Sequence, residues 1–369
     1  MRFTIDRVSF CDAVTNLTKS VATKATFPVL EGILMTTKND NLILKAYNLE
    51  MGMTKELEIN CIEEGSIVLN AKLLGDILRR LSDDTVVVEV NERLICKIKS
   101  GSVMFDIMGM PSTDFPEMPT IDECERVVIN KGVLREMIQG TVFAAAGPEM
   151  LKPILTGLLF ECSNNGLCIV GVDGIKLALR RENLNIGKNI NFVISARTIG
   201  EAVKINSSDE EDTEFFIGRR HIALVIGGYS IISRRIEGDF IDYNKIVPAS
   251  FSTTVKVKTK DLCNIIERIS LIINDQLKTP IRCKIESEKI VFSCETALGK
   301  AVENYAADIN GQEFEIGLNS KFLLETVRAT EAEEILINFN GPYSPVIILP
   351  TSGNDFMYMV MPIKLKAEN

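Results

Sequence analysis

The chain has 369 residues, of which 46% are hydrophobic and 25% are charged, and its formal net charge at pH 7 is -9. This length allows two or three domains of about 100–150 residues each, and the composition excludes a disordered chain. The acidic balance argues against a protein that coats nucleic acid with its whole surface, but it leaves a local basic stripe open.

The N-terminal sequence MRFTIDRVSF lacks the apolar run of a signal peptide, and no stretch approaches the roughly 18 apolar residues that cross a bilayer. The nine cysteines are scattered and include no CxxC pair. That usage is typical of reduced thiols rather than of disulfides or a zinc site. We therefore expect a cytoplasmic protein without a membrane partner.

The first third of the chain predicts helices over 8–20 and 70–81, separated and followed by short alternating segments that are typical of strands. In NAKLLGDILRRL at 70–81, the leucines and the isoleucine from Leu74 to Leu81 form an apolar stripe. Lys72, Asp76 and Arg79 lie on the opposite face. The predicted strands include FPVLEGILM at 27–35, LILKAY at 42–47, SIVLN at 66–70, TVVVEV at 85–90 and RLICKI at 93–98.

This pattern occurs three times. KPILTGLLF at 152–160 aligns with 27–35 at an offset of 125, and TPIRCKI at 279–285 is a weaker third copy. Further helices are predicted over 132–146 and 260–273. The base–acid–base triplet returns as Arg197, Glu201 and Lys204 and as Lys321, Glu325 and Arg328. Three similar domains follow, at 1–124, 125–250 and 251–369, with proline-containing connectors at 112–124 and 242–251.

The triplets allow two interpretations. Pairs of opposite charge at i, i+3 and i, i+4 contribute only about 0.2–0.5 kcal/mol each, and most such helix faces are simply solvated. A face with two bases and one acid, repeated in register, is also suited to weak contact with phosphates. The residues alone leave both open.

Catalytic and metal-binding patterns are missing from the sequence. The single histidine, His221, stands between strand-like runs, where a turn or surface residue is the ordinary interpretation. The acidic run SSDEEDTE at 207–214 lacks the spacing of a calcium loop, and Asp173-Gly174 is typical of a turn. We expect no catalytic residue, no metal and no cofactor, and hence a binding protein rather than an enzyme.

The pieces PVLEGIL, AYNLEM, TDFPEMP, PILTGLLF, VDGIKLAL, EGDFIDYNKIVP, SPVII and YMVMPIKL stand in an order and spacing that resemble the bacterial DNA polymerase III beta subunit family, the replication sliding clamps. The resemblance runs from Met1 to about Leu365. It implies an α+β fold of three similar domains, each with two helices packed on antiparallel sheets, and a ring formed by a homodimer.

The resemblance also implies the function and the partners. The ring encircles double-stranded DNA, slides without sequence specificity and acts as a processivity factor. Its partners are the DNA polymerase III alpha subunit, a clamp loader, and other polymerases and repair proteins that carry a short clamp-binding peptide. The residues expected on the DNA-facing side are Lys24, Lys72, Arg79, Arg80, Lys152, Arg197, Lys204, Lys260, Arg268, Lys321 and Arg328.

A partner-peptide cleft is implied between the second and third domains. Its expected residues are Leu155, Val172, Gly174, Ile175, Lys176, Leu177, Ile241, Lys245, Ile246, Phe322, Tyr343, Pro345, Met359, Met361, Pro362, Ile363, Lys364 and Leu365. Well-known family members have TDGHRL where this chain has VDGIKL, and PDYRR where it has IDYNK. These departures at Ile175, Lys176, Ile241 and Asn244 put the peptide preference in doubt. The segment MVMPIKL is open to a second interpretation, as a terminal strand packed on the sheet.

For the dimer interface, the resemblance implies Phe105 and Ile107 from the first domain and Ile272 and Ile273 from the third. All four could equally be core residues of their elements. The rival hypothesis for the whole chain is a clamp-like paralogue that serves as an interaction scaffold or sequesters an inhibitor.

Overall fold

A computed structural model of the chain describes residues 1–121, 123–248, 250–273 and 279–365. Within these ranges each α-helix begins within two residues of the end of a strand, so that strand–helix pairs repeat along the chain. The helices are α1 (Arg7–Leu17), α2 (Ala71–Arg80), α3 (Lys131–Gln139), α4 (Ala196–Ala202), α5 (Thr259–Ser270) and α6 (Ser320–Arg328).

The strands pair only in the antiparallel sense wherever a pairing is recorded in the described ranges, which confirms the expected α+β class. They are β1 (Arg2–Asp6), β2 (Gly32–Lys38), β3 (Asn41–Tyr47), β4 (Met51–Glu58), β5 (Asn60–Glu63), β6 (Gly65–Asn70), β7 (Thr85–Val90), β8 (Ile95–Ser100), β9 (Val103–Met108), β10 (Glu125–Asn130), β11 (Gly157–Ser163), β12 (Gly166–Val172), β13 (Lys176–Glu182), β14 (Ile190–Ser195), β15 (Asp212–Ile217), β16 (His221–Ile226), β17 (Tyr229–Arg234), β18 (Thr253–Lys258), β19 (Ile281–Ile285), β20 (Lys289–Thr296), β21 (Gly299–Ala306), β22 (Asp308–Gly311), β23 (Phe314–Leu318), β24 (Glu334–Phe339), β25 (Val346–Pro350) and β26 (Phe356–Val360).

Local sequence explains where the helices begin. The side chain of Asn70 accepts a hydrogen bond from the backbone N–H of Leu73 at 3.0 Å, and Asn319 caps α6 in the same way. Such caps satisfy N–H groups that have no partner inside the helix. In α2 the buried side chains include Leu74, Ile77 and Leu78, which confirms the predicted apolar stripe.

The helix predicted over 132–146 is wrong at its C-terminal end, because α3 stops at Gln139. Gly140 comes next, and Thr141 donates its backbone N–H to Ile138 in a tighter turn and its hydroxyl to the carbonyl of Met137 at 2.8 Å. A glycine followed by a threonine that bonds back to the preceding turn disfavours a further helical turn. A short 3₁₀ turn over Val142–Ala144 follows instead.

The chain divides into two compact units. The first unit comprises Met1–Leu134 and Arg197–Arg235, and it contains a five-stranded sheet, β5-β1-β7-β8-β9, and an eight-stranded sheet, β10-β15-β16-β17-β4-β3-β2-β6. The strands of the expected central domain are thus shared between the two units. The three domain boundaries stay predictions.

The second unit comprises Arg135–Ala196 and Ile236–Asn369. It contains a nine-stranded sheet, β14-β11-β12-β13-β26-β25-β24-β18-β22, and a four-stranded sheet, β21-β20-β19-β23. A buried core lies where α5 and α6 pack on these sheets, with Ile266, Ile316 and Val327 fully or almost fully buried in it.

The glycines of the repeated motif are required by close packing. A Cβ added to Gly32 would lie 2.4 Å from Cγ1 of Val68, and one added to Gly157 would lie 2.5 Å from Cγ1 of Val193 and 2.8 Å from the carbonyl oxygen of Ile194. Both glycines begin strands at the same place in their sheets. The repeat in the sequence therefore records a repeated close approach of neighbouring strands.

Candidate nucleic-acid face and partner cleft

All eleven cations expected to face DNA are exposed. In the first unit Lys72, Arg79 and Arg80 project from α2 on the side opposite its buried residues, while Arg197 lies in α4. Exposure of these cations is what contact with phosphate requires. The assignment of each cation to DNA stays a prediction.

Four of the eleven cations have an acidic partner. Arg79 pairs with Asp76 at 2.5 Å within α2, and Lys204, two residues beyond the end of α4, pairs with Glu201 of that helix at 2.8 Å. The other two pair with a different element: Arg268 of α5 with Glu303 of β21, and Arg328 of α6 with Glu267 of α5. For the remaining seven, no ion pair within 4.0 Å occurs among the described residues; they are Lys24, Lys72, Arg80, Lys152, Arg197, Lys260 and Lys321.

The third triplet differs from the other two in its acid. Glu325 accepts a hydrogen bond from Nζ of Lys176 at 3.1 Å rather than pairing with Arg328 of its own helix. The repeated spacing predicted the positions of these side chains in the helix. It did not predict their partners, which come from distant parts of the chain.

The expected cleft residues that lie in strands form an apolar floor in the second unit. Leu177 pairs with Met359 across β13 and β26, and Val172 pairs with Leu177 across β12 and β13. All three are buried, and so is Leu155. Segment 236–248 packs over this floor through Tyr243 and partly buried apolar side chains, which include Ile241 and Ile246.

Tyr243 is held in place by a polar contact at the edge of this floor. Its hydroxyl donates to Oε2 of Glu161 at 2.5 Å and lies 3.9 Å from Sγ of Cys168. Burial raises the pKa of Tyr243, and the hydrogen bond to Glu161 raises it further. The tyrosine therefore stays a neutral donor and fixes the covering segment on the sheet.

The C-terminal segment is docked at two points. The N–H of Met361 donates to the carbonyl of Ile175 at 2.9 Å, and the N–H of Ile363 donates to the carbonyl of Gly317 at 2.8 Å. Leu365 packs against Gly317, since a Cβ added to this glycine would lie 2.6 Å from Cδ2 of Leu365. The packing interpretation of MVMPIKL is confirmed, and its role beside a peptide stays a prediction.

Lys176 is a buried cation. Only 8% of its side chain is exposed, and Nζ donates to the carbonyl of Phe143 at 2.8 Å and to Glu325. Nζ also lies 4.8 Å from the centre of the Phe322 ring and 3.8 Å from Oδ2 of Asp173. Sequence reasoning placed Lys176 in the cleft wall and missed these partners.

Asp173-Gly174 forms the expected turn. Oδ1 of Asp173 accepts from the backbone N–H groups of Ile175 and Lys176 at 2.8 and 2.7 Å, and Gly174 has a φ of +88°. Ile175 is left exposed at the tip. The turn thus presents an apolar side chain while its backbone holds the C-terminal segment.

The remaining cleft positions are more open. Tyr343 is 72% exposed, and Lys245 forms an exposed ion pair with Asp242 at 2.9 Å. Pro345, Pro362 and Phe322 are partly buried, whereas Gly174 and Lys364 are exposed. The expected set therefore comprises an apolar floor and a mixed rim.

The four expected interface residues fall into two kinds. Phe105 and Ile107 lie on β9, which ends its sheet, and their neighbours Met104 and Met108 are also exposed or partly exposed apolar residues. Ile272 and Ile273 are partly buried against the core of the second unit. Their interface role stays a prediction.

His221 is the first residue of β16, directly after the bend at Arg219 and Arg220, and is partly buried. Burial lowers its pKa, and the positive charges of Arg234 and Arg220 lower it further. Among the described residues, no group of three or more His, Cys, Asp or Glu side chains could hold a metal ion. In the same ranges no helix is long and apolar enough to cross a membrane.

Repeated strand–helix pairs, antiparallel sheets of matching strand order and exposed cations on the helices define a three-domain protein of the DNA-clamp class. The chain belongs to the DNA polymerase III beta subunit family. The N-terminal domain of that family matches residues 1–119, the central domain residues 128–242 and the C-terminal domain residues 244–364.

Relatives match over nearly their whole length. The beta sliding clamp of Bacillus subtilis (strain 168) is 28% identical over 377 residues, covering 99% of this chain and 100% of that protein. The beta sliding clamp of Staphylococcus aureus (strain Mu50) is 26% identical, covering 99% of each. The crystal structure of the DNA polymerase sliding clamp from Bacillus subtilis superposes with a TM-score of 0.92 at 25% identity, covering 99% of this chain and 100% of that one. For the DNA polymerase III beta subunit from Thermotoga maritima, with the same coverage, the TM-score is 0.91 at 26% identity.

Proposed function

We propose that the chain acts as a replication sliding clamp: two copies close into a ring around duplex DNA, slide along it and tether the replicative polymerase. The observation that carries this proposal is the match of all three family domains in order along one chain. Relatives named beta sliding clamp are covered over 99–100% of their length, so the resemblance is not confined to one domain.

The charge distribution on the helices fits sliding. Contacts to phosphates position a protein on DNA without reading its sequence. Each phosphate that is neutralised adds to affinity through the release of counterions, so a very basic surface would hold the ring in place. Asp76 neutralises Arg79 of its own helix and Glu201 neutralises Lys204 just beyond the end of α4, so both acids moderate the attraction. A chain of net charge -9 then contacts DNA only where its exposed cations are concentrated.

Ring closure is supported by two sheet edges. β9 ends the five-stranded sheet of the first unit, and β21 ends the four-stranded sheet of the second. Exposed apolar side chains accompany both edges: Met104 and Met108 on β9, and Val302 with the preceding Leu298 at β21. An unprotected edge with apolar side chains is suited to pairing with another chain. We place the homodimer contact at these edges, together with Phe105, Ile107, Ile272 and Ile273.

The tether is the expected partner cleft, whose rim carries the exposed apolar side chains of Ile175 and Tyr343. An extended peptide with apolar anchors fits a groove of this kind, and the methionines allow several partners to be accommodated. The DNA polymerase III alpha subunit and repair proteins would bind here. We propose that the chain catalyses nothing itself, that a separate clamp loader opens the ring, and that it works in the cytoplasm, where bacterial DNA lies.

Topology gives the decisive test. The labelled protein is loaded on nicked circular DNA by its cognate clamp loader and ATP, and retention is measured by gel filtration before and after a restriction enzyme cuts the circle. A ring that encircles DNA is retained on the circle and released from the linear product. Equal retention on both would refute encirclement and leave an interaction scaffold that shares the fold.

A charge variant tests the helix faces. Lys72, Arg79, Arg197 and Lys204, changed together to alanine, should reduce loading and flatten the dependence of log affinity on log salt by about 0.9 for each phosphate that the variant no longer neutralises. The matched control removes four other exposed cations, Lys38, Arg93, Lys284 and Lys289. The same reduction in both variants would mean that only overall charge matters.

A further inference from the structure

The first unit contains a structural counterpart of the cleft floor. Its eight-stranded sheet, read as β6-β2-β3-β4-β17-β16-β15-β10, has the same strand order as β14-β11-β12-β13-β26-β25-β24-β18 of the second unit. In the second unit Leu177 pairs with Met359, and the equivalent pair in the first is Gly52 with Ile232. The floor on which the cleft is built therefore occurs twice.

The counterpart is covered differently. Gly52 has no side chain, and Met118 occupies the space above it, since a Cβ on Gly52 would lie 2.3 Å from Cε of Met118. Beside this methionine a pocket of about 400 Å³ remains between the connector and the sheet. Its lining is mainly apolar and includes Met118, Pro119, Ile121, Phe216, Ile231 and Ile232, with Cys124 at the connector.

A second, basic basin adjoins this pocket and shares Thr120 and Ile121 with it. It measures about 500 Å³ and is lined by Arg219, Arg220 and His221, with Glu123 as the one acidic residue of its described lining. Both arginines are exposed, and neither has an ion-pair partner within 4.0 Å among the described residues. The lowered pKa of His221 reflects the same positive surroundings, because after burial its causes are Arg234 and Arg220.

We propose that the apolar pocket and its arginine rim form a second docking groove, which takes a short segment of a partner protein with an apolar side chain followed by carboxylates. The pocket lies within the size range of ligand sites, and its lining suits a leucine or phenylalanine side chain. Charge complementarity selects the rest of the segment, since an acidic peptide is repelled by a chain of net charge -9 except near unpaired arginines.

Nucleic acid fits this place less well. Phosphates would satisfy Arg219 and Arg220, but a DNA backbone has no apolar group to fill the space beside Ile231 and Ile232. The groove lies within one unit, and the proposal does not depend on ring closure or on DNA encirclement. Its failure would leave the clamp function untouched.

The single histidine gives a direct measurement. The full-length protein, labelled with ¹³C-histidine, is titrated by NMR with and without a hexapeptide in which one leucine is followed by two aspartates; the same peptide with two lysines is the control. The acidic peptide should raise the pKa of His221, because carboxylates near the ring favour its charged form. It should also slow the alkylation of Cys124, followed by mass spectrometry, whereas the lysine peptide should do neither.

Two variants locate the site. Arg219→Ala with Arg220→Ala should weaken binding of the acidic peptide about tenfold or more, while Arg93→Ala, at another exposed arginine, should not. Ser230→Trp places an indole at an exposed residue of the pocket lining and should block binding. Thermal unfolding and circular dichroism show whether each variant folds.

Three results would overturn the proposal. One is the absence of binding by the acidic peptide. Another is binding that leaves both His221 and Cys124 unchanged, which would place the peptide elsewhere. The third is a rise in the pKa of His221 with a 12-base-pair duplex and no change with the peptide, which would make the arginines a nucleic-acid contact.

Discussion

Replacing Lys176 by methionine should destabilise the turn that holds the C-terminal segment. The lysine Nζ donates to the carbonyl of Phe143 and to Glu325, and only 8% of the lysine side chain is exposed. Methionine keeps an unbranched stem of similar length between the rings of Phe143 and Phe322 but removes both hydrogen bonds. The carbonyl and the carboxylate are then left without this donor.

The magnitude follows from these contacts. A hydrogen bond to a charged group contributes about 1.5–3 kcal/mol, and breaking a fully buried ion pair costs about 3–5 kcal/mol. Glu325 is 34% exposed, so water recovers part of its solvation. A thioether against an aromatic ring returns about 0.3–1.5 kcal/mol. We expect a net loss of about 2 kcal/mol, or roughly a 30-fold shift in the opening equilibrium.

Hydrogen exchange is the appropriate assay, because a chain of several domains need not unfold in a single transition. The amide of Met361 bonds to the carbonyl of Ile175, so its exchange reports opening of this turn. In Lys176→Met it should exchange about 30-fold faster. Lys245→Met is the matched control, since that lysine is 83% exposed and its pair with Asp242 contributes at most about 1 kcal/mol.

A double-mutant cycle then isolates the ion pair. Lys176→Met should cost less in a Glu325→Gln background than in the unaltered chain, since the carboxylate no longer needs its partner. Equal acceleration of Met361 exchange in Lys176→Met and Lys245→Met would refute the reasoning. So would the absence of coupling between Lys176 and Glu325.

Two further outcomes are expected. Gly157→Ala should lower stability by about 1–3 kcal/mol because the methyl group meets Val193 and a backbone carbonyl, whereas Gly147→Ala, with nothing within 4 Å of the added Cβ, should be near neutral; urea denaturation followed by circular dichroism compares them. Deleting Met361–Leu365 should abolish binding of the polymerase peptide while the dimer persists in gel filtration, and loss of the dimer would show that this segment has been assigned to the wrong site.

The local parts of the fold could be predicted because their causes are local. Asn70 and Asn319 cap helices through their own side chains, and Asp173 closes a turn through its neighbours' N–H groups. The position where α3 ends was harder to predict. Apolar residues continue in the sequence beyond Gln139, but Gly140 and the back-bonded hydroxyl of Thr141 outweigh their spacing.

The partners of charged side chains could not be predicted because they depend on contacts between distant residues. Lys176 and Glu325 are 149 residues apart, and Arg328 and Glu267 are 61 apart. The spacing within a helix fixes the face on which a side chain lies. Which residue meets it there depends on how the strands and helices pack, and a repeated sequence does not repeat that environment.

The acids at the centres of the three triplets therefore have two different effects. Asp76 and Glu201 each pair with the cation three residues further along the chain and lower its attraction for phosphate. Glu325 instead neutralises Lys176, whose turn holds the C-terminal segment beside the cleft. Because α6 carries both Glu325 and the exposed Lys321, a cation expected to face DNA and the partner of Lys176 lie on one short helix. The exchange of the Met361 amide in Lys176→Met therefore tests whether the C-terminal segment depends on an ion pair to α6, the same helix that is proposed to contact DNA.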